Sequence, residues 1–359
     1  MQIPLFATSL EPHWERIEER LSAVARSRQY ILGPELAAFE EEFAAYLGVD
    51  HAIGVGNGTD AITIALRALG VKPGDEVICP SFTFYASAEA VVNAGARPVF
   101  CDIDPDTLCV TAETVRPHLG ERTGAILAVH LCGNVAPVSE LRALGVPVLE
   151  DAAQAAGGSL DGVKAGALGD AATFSFFPSK NLPCLGDGGA ITTSSAEVAE
   201  RARVLRFHGS TDKRTHTEVG YNSRLDSIQA AVLRVLLPEL DGWTRRRQEV
   251  AAAYERAGLG ELVAPPVPTA GAEHAYHLYV VRADEPDSLA RALADAGVQA
   301  RGYYRTPMHR QPAMTAFGGA DLPVTEEVAA TNLALPMGPE LTSDQVEAVV
   351  AAAATRTPA

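Results

Sequence analysis

Three short stretches of the sequence carry residue types that could do chemistry together. FSFFPSKNLPCLGDGG places Lys180 between an apolar run and a glycine-rich bend. PVLEDAAQAAGG ends an apolar run in two acids, the second of which is Asp151, and Gln154 follows one helical turn later. VGNGTDA puts Gly58 and Thr59 between a strand and a helix. The question is whether these residues meet at one site.

Each stretch alone also has a simpler interpretation. An isolated loop lysine is usually a solvated charge, Asp151 or Glu150 could cap the next helix, and a glycine-rich turn could be only a tight turn. Together the three stretches offer an anion site at a helix N-terminus, a strand-end carboxylate and a lysine whose burial would make its amine nucleophilic. Pyridoxal 5′-phosphate (PLP) requires these parts, because its phosphate, its pyridine nitrogen and its aldehyde each need a partner.

Alternating strands and helices would position these residues. Helical patterns such as TDAITIALRALG and FYASAEAVVNAG separate short apolar runs, which predicts βαβ units and a largely parallel sheet. In such sheets ligands bind beyond the carboxyl ends of the strands, which is where the three stretches fall. The predicted strands are HAIGVG, DEVICP, RPVFCDI, GAILAVH, VPVLED, AATFSF and GAITT.

The length of 359 residues favours about two domains. A long helical stretch and the proline-rich LVAPPVPTAG separate the strand-rich part from a shorter α+β pattern. We therefore predict a large PLP-binding domain over residues 1–240, which includes the N-terminal segment, and a small C-terminal domain over 241–359.

Composition narrows the functional classes. The 29 basic and 45 acidic residues give a net charge of −16, which disfavours nucleic acid and membrane surfaces as partners. The sequence has no long apolar run and no signal-peptide pattern. Its five cysteines form no CxxC pair, which predicts free buried thiols and a cytoplasmic location. The histidines lack metal-ligand spacing, so we predict no metal.

The motifs, taken in order, resemble the DegT/DnrJ/EryC1/StrS family of PLP-dependent sugar aminotransferases. The resemblance covers roughly residues 3 to 355 and implies the fold-type I aminotransferase architecture. That architecture has a large α/β domain, whose mostly parallel central sheet is flanked by helices, and a smaller C-terminal α+β domain. The matching stretches are GNGTDAITIALRALGVKPGDEVICPSFTFYASAEAV, GARPVFCDIDPDT, AVHLCGN, VLEDAAQAAGG, GALGDAATFSFFPSKNLPCLGDGGAI, VGYNSRLDSIQAAVL and LALPMGPELT.

The resemblance also implies roles for individual residues. Lys180 would be the catalytic lysine that holds PLP as an internal aldimine, and Asp151 would be the catalytic partner of the pyridine nitrogen. The other implied cofactor contacts are Gly58, Thr59 and Ser175 at the phosphate, Gln154 at the 3-hydroxyl, and Asn222 donated to the phosphate by a neighbouring subunit. Phe84 would stack on the ring face, although core packing is an alternative for a Phe between a strand and a helix.

Three further residues are predicted on the substrate side. His130 follows a strand and could line the pocket, although a core histidine is an equal possibility. His309 lies in YYRTPMHRQPAM, which resembles the family's sugar-approaching segment, but a loop histidine is often merely exposed. Arg224 belongs to the implied subunit interface or to an ordinary surface ion pair. Cys132 departs from the family, because many relatives carry an aromatic residue there.

These roles predict a homodimer with shared active sites. It would convert a nucleotide-linked keto-deoxysugar into an amino sugar by ping-pong kinetics, with L-glutamate as the amino donor. One alternative is a PLP-dependent sugar dehydratase or lyase, which Lys180 disfavours because histidine replaces it in the family's dehydratase branch. Another is a non-catalytic regulator that senses PLP or a sugar nucleotide. A nicotinamide-dependent dehydrogenase would suit the sheet, but the glycine spacing lacks the G-x-G-x-x-G fingerprint.

Overall fold

The computed structural model describes residues 2–356 and is organised around one large sheet. Short strands of Val, Ile, Ala and Phe alternate along the chain with amphipathic helices, as the sequence pattern predicts. Within residues 2–356 the strands are β1 (His51–Val55), β2 (Glu76–Pro80), β3 (Arg97–Cys101), β4 (Thr123–Val129), β5 (Val148–Asp151), β6 (Ser159–Leu160), β7 (Val163–Lys164), β8 (Ala171–Ser175), β9 (Gly189–Thr193), β10 (Ala272–Glu273), β11 (Tyr279–Arg282) and β12 (Asn332–Leu335).

The large sheet contains the seven strands predicted from the sequence, in the order β1-β9-β8-β5-β4-β2-β3. The neighbouring pairs β8–β5, β5–β4, β4–β2 and β2–β3 are parallel. Strand β9 is antiparallel to both of its neighbours, β1 and β8. The sheet is therefore mostly parallel, and its parallel strands all end at the same edge. The predicted fold class is confirmed.

Helices cover both faces of this sheet. Successive residues of β4 show the alternation, because Leu127 packs into one buried cluster and Ile126 into another. Burial on both faces is typical of parallel sheets. Within the described part of the chain the α-helices are α1 (Trp14–Ser27), α2 (Pro34–Leu47), α3 (Gly58–Ala68), α4 (Tyr85–Asn93), α5 (Ala112–Val115), α6 (Val138–Arg142), α7 (Ala196–Arg206), α8 (Ser227–Leu236), α9 (Leu240–Arg256), α10 (Pro286–Asp295), α11 (Pro323–Thr331) and α12 (Ser343–Ala354).

A second, smaller core lies in the C-terminal part of the chain. Strands β11 and β12 pair antiparallel there, and their side chains share a buried cluster with residues of α9, α10 and α12. The N-terminal segment joins this part, since Ile3 N–H donates to the Gly297 carbonyl over 3.0 Å. The domain boundary near residue 240 stays a prediction, and residues 1 and 357–359 of the two predicted domains lie outside the described residues.

The five cysteines are free and buried, as the sequence predicts. Burial raises the pKa of the Cys79 and Cys109 thiols to about 12, so both are protonated at neutral pH. In residues 2–356 no helix combines the length and the apolar character needed to cross a membrane. The same residues contain no group of three or more His, Cys, Asp or Glu side chains that could hold a metal ion.

Candidate active site

One cavity of about 340 Å³ lies at the carboxyl ends of the parallel strands. It is bordered by the turns that follow β1 and β2 and by the last residues of β5 and β8. The structure brings all but one of the predicted cofactor residues together there, while the role of each stays a prediction. The residues gathered are Gly58, Thr59, Phe84, Asp151, Gln154, Ser175 and Lys180.

The N-terminus of α3 forms one end of the cavity. Asn57 caps the helix, because its side-chain oxygen accepts a hydrogen bond of 2.8 Å from Asp60 N–H. The first N–H groups of a helix have no intrahelical acceptor and favour an anion. Gly58 is needed for the close approach, since a Cβ built on it would lie 2.8 Å from the Cβ of Ser175. The space between the N-terminus of α3 and the end of β8 is therefore suited to an anion.

Replacing Gly58 with alanine is expected to weaken cofactor binding. The added Cβ, 2.8 Å from the Cβ of Ser175, would force α3 and β8 apart. Overpacking of this kind costs about 1–3 kcal/mol, so we expect PLP affinity to fall by about tenfold or more. PLP titration followed by absorbance measures the effect. Gly120→Ala is the matched control, because a Cβ there meets nothing within 4 Å. An unchanged affinity in Gly58→Ala would contradict this account of the anion site.

Asp151, the last residue of β5, is a buried carboxylate that lacks a contacting cationic side chain in the described chain. One oxygen accepts a 2.9 Å hydrogen bond from the Ser87 hydroxyl, and the other accepts from Ala153 N–H over 3.2 Å. Burial raises the pKa of Asp151, and the two hydrogen bonds and the Lys180 charge oppose this shift. A buried carboxylate of this kind fits a cationic partner such as a protonated ring nitrogen.

Lys180 lies in the turn after β8, where its backbone N–H donates to the Phe177 carbonyl over 2.8 Å. Burial lowers the pKa of its ammonium group to about 8, and the negative charge of Asp151 opposes that shift only in part. A neutral amine is therefore abundant near physiological pH, which a nucleophilic lysine needs. This position differs from that of a solvated loop charge.

The capture of PLP by the cofactor-free protein is expected to depend on pH through Lys180. Because its pKa is lowered to about 8, the neutral amine dominates above pH 8 instead of only above the ordinary value of 10.5. The capture rate should rise about tenfold per pH unit below the pKa and level off above it. Stopped-flow absorbance across this pH range measures the profile. Asp151→Asn should move the inflection to lower pH, and an inflection near 10 in the wild type would contradict the burial argument.

Gln154 and Phe84 form the remaining predicted part of the cavity wall. The Gln154 amide accepts from Cys132 N–H over 2.7 Å and donates to the Tyr304 hydroxyl over 3.2 Å. The Phe84 side chain is not core packing, since the residue is 53% exposed, and its ring centre lies 5.9 Å from that of Tyr304. An exposed aromatic face at a cavity is suited to stacking on a flat ligand.

Sequence reasoning missed several residues that line the cavity. Tyr303 and Tyr304 come from the C-terminal part of the chain and Phe6 from its N-terminus, so no local pattern connects them with Lys180. A weak signal for the tyrosines existed, because they begin the YYRTPMHRQPAM segment. Ser87 was also missed, although it is a polar residue one helical turn after Phe84 on a helix that is otherwise mostly apolar.

The two histidines predicted to contact substrate lie elsewhere, and their proposed role needs correction. His130 is fully buried, its Nε2 lies 2.7 Å from a Glu150 carboxylate oxygen, and its Nδ1 accepts from Ala136 N–H. His309 is also buried, with Nδ1 2.6 Å from the Ser81 hydroxyl and Nε2 2.8 Å from Glu326. Both ring nitrogens of each histidine are thus occupied inside the protein, and neither ring lines the cavity.

Asn222 and Arg224 also lie outside the cavity of this single chain. Asn222 is exposed, and its side-chain oxygen accepts a hydrogen bond from the Arg224 guanidinium group. That guanidinium group lies 5.8 Å from the ring centre of Phe207. The predicted contact of Asn222 with a phosphate requires a second copy of the chain, so that role stays a prediction.

The mostly parallel sheet, the helix N-terminus, the buried aspartate and the lysine of lowered pKa are typical of PLP-dependent enzymes. A family model described as the DegT/DnrJ/EryC1/StrS aminotransferase family matches residues 13–354. The chain belongs to this aminotransferase family. The resemblance predicted from the sequence is confirmed.

Individual relatives match along nearly their whole length. The chain is 44% identical to the "Pleiotropic regulatory protein" of Geobacillus stearothermophilus, over 98% of this chain and 97% of that one. It is also 44% identical to the dTDP-3-amino-3,4,6-trideoxy-alpha-D-glucose transaminase of Streptomyces venezuelae, over 92% and 89%. The crystal structure of S. venezuelae DesV in complex with a ketimine intermediate has a TM-score of 0.95 at 41% identity, over 98% and 97% of the two chains.

Proposed function

We propose that this chain transfers the amino group of L-glutamate to the keto group of a nucleotide-linked deoxysugar, with PLP bound in the cavity. The observation that carries the proposal is the meeting of three groups in one cavity: Lys180 with a pKa near 8, the buried Asp151 carboxylate and the N-terminus of α3. The family and the transaminase name of the Streptomyces relative support the same reaction class.

The residues of the cavity fit PLP. The helix N-terminus at Gly58 and Thr59, together with Ser175, would hold the phosphate, because the absence of a Cβ at position 58 lets the helix N-terminus lie against Ser175. Asp151 would pair with the pyridine nitrogen and Lys180 would bind the aldehyde carbon. When bound there, PLP supplies an electron sink that stabilises negative charge on the carbon next to the transferred nitrogen.

The side chains of the chain itself then perform the proton chemistry. Lys180 Nζ, when free and neutral, accepts a proton from a carbon atom of the donor and later returns one, because its pKa of about 8 lies close to the working pH. The Asp151 carboxylate would hold a proton on the ring nitrogen, and the Ser87 hydroxyl orients that carboxylate through a hydrogen bond of 2.9 Å. Phe84 and Tyr304 restrict the position of a flat ligand.

A direct test is to incubate the PLP-loaded protein with L-glutamate and a panel of nucleotide-linked 3-keto and 4-keto sugars. Mass spectrometry should detect an amino sugar from at least one member of the panel, with 2-oxoglutarate formed in equal amount. A deoxysugar without a new amine would instead support the dehydratase or lyase alternative. No product from the whole panel, in protein that binds PLP, would contradict the proposal.

The regulatory alternative has one observation in its favour, the name of the Geobacillus relative. The net charge of −16 opposes contact with DNA, because repulsion from the phosphates would have to be overcome. A gel-shift experiment with genomic DNA fragments separates the two functions. DNA binding without turnover on the sugar panel would favour the regulator, whereas turnover without DNA binding favours the enzyme.

The proposed assembly is a homodimer in which each copy completes the site of the other. In support, Asn222 is exposed, and Phe84 and Phe177, two cavity-lining aromatic residues, are 53% and 51% exposed. Exposed apolar side chains of this size favour contact with another surface.

Mixing two variants of low activity tests whether each active site contains residues of both subunits. Lys180→Ala and Asn222→Ala homodimers should each have low activity, whereas a mixed dimer contains one site with both native residues. After exchange of subunits the mixture should recover about a quarter of wild-type activity, since half of the dimers are mixed and each has one intact site. No recovery despite proven subunit exchange, or a monomer by light scattering, would contradict the shared site.

A further inference from the structure

His277 lines the cavity but has no part in the reaction described above. The residue is 4% exposed, and its Nδ1 is enclosed without a hydrogen-bond partner in the described chain. Its ring is stacked on that of Phe6, with 5.9 Å between ring centres. A buried polar atom without a partner is unfavourable, so its presence at a ligand cavity needs an explanation.

The segment 275–278 is fixed next to Lys180 by three hydrogen bonds. Asn181, the residue after Lys180, donates its side-chain amide to the Ala275 carbonyl over 2.9 Å. Ala275 N–H donates to the carbonyl of Gly133 over 2.8 Å, and Leu278 N–H donates to that of Cys132 over 3.1 Å. The position of the His277 ring relative to Lys180 is therefore set by the fold and not by a mobile loop.

Arg247, on α9, places a second unpaired group behind His277. The residue is 2% exposed, and its guanidinium group donates to the Tyr276 carbonyl over 3.0 Å and to the Thr8 hydroxyl over 3.1 Å. Its Nε has no partner in the described chain, and both of its acceptors are neutral. Burial lowers the pKa of Arg247 to about 10, which still leaves it charged at neutral pH. A buried cation without an anion is unfavourable unless an anion arrives from outside.

The electrostatic surroundings agree with this geometry. The pKa of His277 lies well below its usual value, mainly because of burial and further because of the positive charges of Lys180 and Arg247. The imidazole is therefore neutral and keeps one N–H to donate, and the positive charge of Arg247 acts on it whether or not Lys180 is charged. Two acids line the cavity, Asp151 and Asp187, and the predicted partner of Asp151 is the pyridine nitrogen. The wall at His277 is thus suited to an anionic oxygen.

We propose that His277 and Arg247 form the site that receives a carboxylate of the amino donor. His277 donates a hydrogen bond to the carboxylate directly, and Arg247 acts through its charge as a positioning residue behind it. The inference rests on the proposed function and deepens it. The α-carboxylate is attached to the carbon that carries the transferred amine, so it must lie close to Lys180. The diphosphate of a sugar nucleotide is separated from the reacting carbon by the sugar ring and belongs farther away.

Two measurements on the PLP-loaded protein test this site. The first is calorimetric binding of glutarate, a dicarboxylate that lacks an amine and cannot react. His277→Phe should weaken glutarate binding by about 10- to 100-fold, the scale of a charge-assisted hydrogen bond. Arg247→Met, which removes the charge behind the carboxylate, should weaken it by about tenfold. Arg247→Lys, which keeps the charge, should stay within about threefold of the wild type.

The second measurement separates the two halves of the reaction by single-turnover absorbance. In His277→Phe, conversion of the cofactor by L-glutamate should slow by about tenfold or more, whereas the aminated cofactor should react with the keto sugar at a rate within about threefold of the wild type. The glutamate step uses no sugar, so it tests the carboxylate site even if the proposed acceptor is wrong. Melting temperatures check that each variant folds. If Arg247→Met does not fold, the results for His277→Phe alone decide whether the carboxylate site exists.

Unchanged glutarate affinity in His277→Phe would overturn the proposal. Equal slowing of both halves of the reaction would also overturn it, because that result indicates a general effect on the cavity. If Arg247→Lys is impaired as strongly as Arg247→Met, while His277→Phe is unaffected, Arg247 has only a structural role between Thr8 and Tyr276.

Discussion

Replacing Lys180 with alanine is expected to abolish both the visible absorbance of the lysine-linked cofactor and the turnover of any substrate pair. In the cavity Lys180 is the residue whose amine is buried and has a pKa of about 8, so no neighbouring group can take over its nucleophilic and proton-transfer roles. Removal of a catalytic nucleophile commonly lowers turnover by more than about 1,000-fold. Absorbance after PLP addition and steady-state rates measure both effects.

A surface lysine provides the control for this experiment. Lys164 donates to Asp241 over 3.0 Å and lies outside the cavity, so Lys164→Ala should retain the absorbance and the rate. The melting temperature of cofactor-free Lys180→Ala should not fall, because the variant no longer buries an amine. Substantial turnover by Lys180→Ala would show that another residue performs the chemistry.

Replacing Asp151 with asparagine is expected to have the second-largest effect. The amide keeps the shape of the side chain and can still accept from the Ser87 hydroxyl, which is 2.9 Å from the native carboxylate, but it has no charge to hold a proton on the ring nitrogen. Loss of such a stabilising group typically lowers turnover by at least about 100-fold. Because Lys180 remains, the variant should still bind PLP covalently. Steady-state rates and the absorbance spectrum separate these two properties.

Ser87→Ala should lower turnover less than Asp151→Asn does, since it removes one hydrogen bond to Asp151 and leaves the charge of the carboxylate. We expect a decrease of about tenfold, the lower end of the range for a single hydrogen bond to a charged group and smaller than the effect of Asp151→Asn. Turnover by Asp151→Asn within about threefold of the wild type would contradict the assigned role. So would a larger loss in Ser87→Ala than in Asp151→Asn.

The large sheet and one side of the cavity could be predicted because local patterns determine them. Each strand is a short apolar run bounded by a turn, and the parallel connections bring the strand ends together. Gly58, Asp151 and Ser175 therefore had to meet once the strands were assigned. Gly58 also satisfies a steric requirement, because a Cβ at this position would lie only 2.8 Å from the Cβ of Ser175.

The histidines could not be assigned from sequence because their partners are distant along the chain. His130 is hydrogen-bonded to Glu150, and His309 is hydrogen-bonded to Ser81 and Glu326. Both side chains, which were predicted to line the substrate pocket, therefore form hydrogen bonds inside the protein. The reverse is true of His277. The sequence offered no reason to select it, and its significance depends on an unsatisfied nitrogen and on the cation behind it.

The roles of Tyr304 and Asn222 depend on contacts with residues that are far away in the sequence or in a second copy of the chain. The Tyr304 hydroxyl, from the C-terminal part of the chain, accepts a hydrogen bond of 3.2 Å from the Gln154 amide. No periodic pattern in the sequence predicts such a contact. Asn222 is exposed in the single chain, so its predicted cofactor contact depends on how two copies assemble. Family resemblance was the sole sequence signal for that residue.

In the proposed function this chain moves an amino group to a sugar through Lys180. The most direct test supplies L-glutamate that is isotopically labelled at its amino nitrogen, together with the keto-sugar panel, and weighs the sugar products. We predict that the label appears in a nucleotide-linked amino sugar made by the wild-type protein and not by Lys180→Ala. An unlabelled product, a deoxysugar without the amine, or labelled product from Lys180→Ala would contradict the claim.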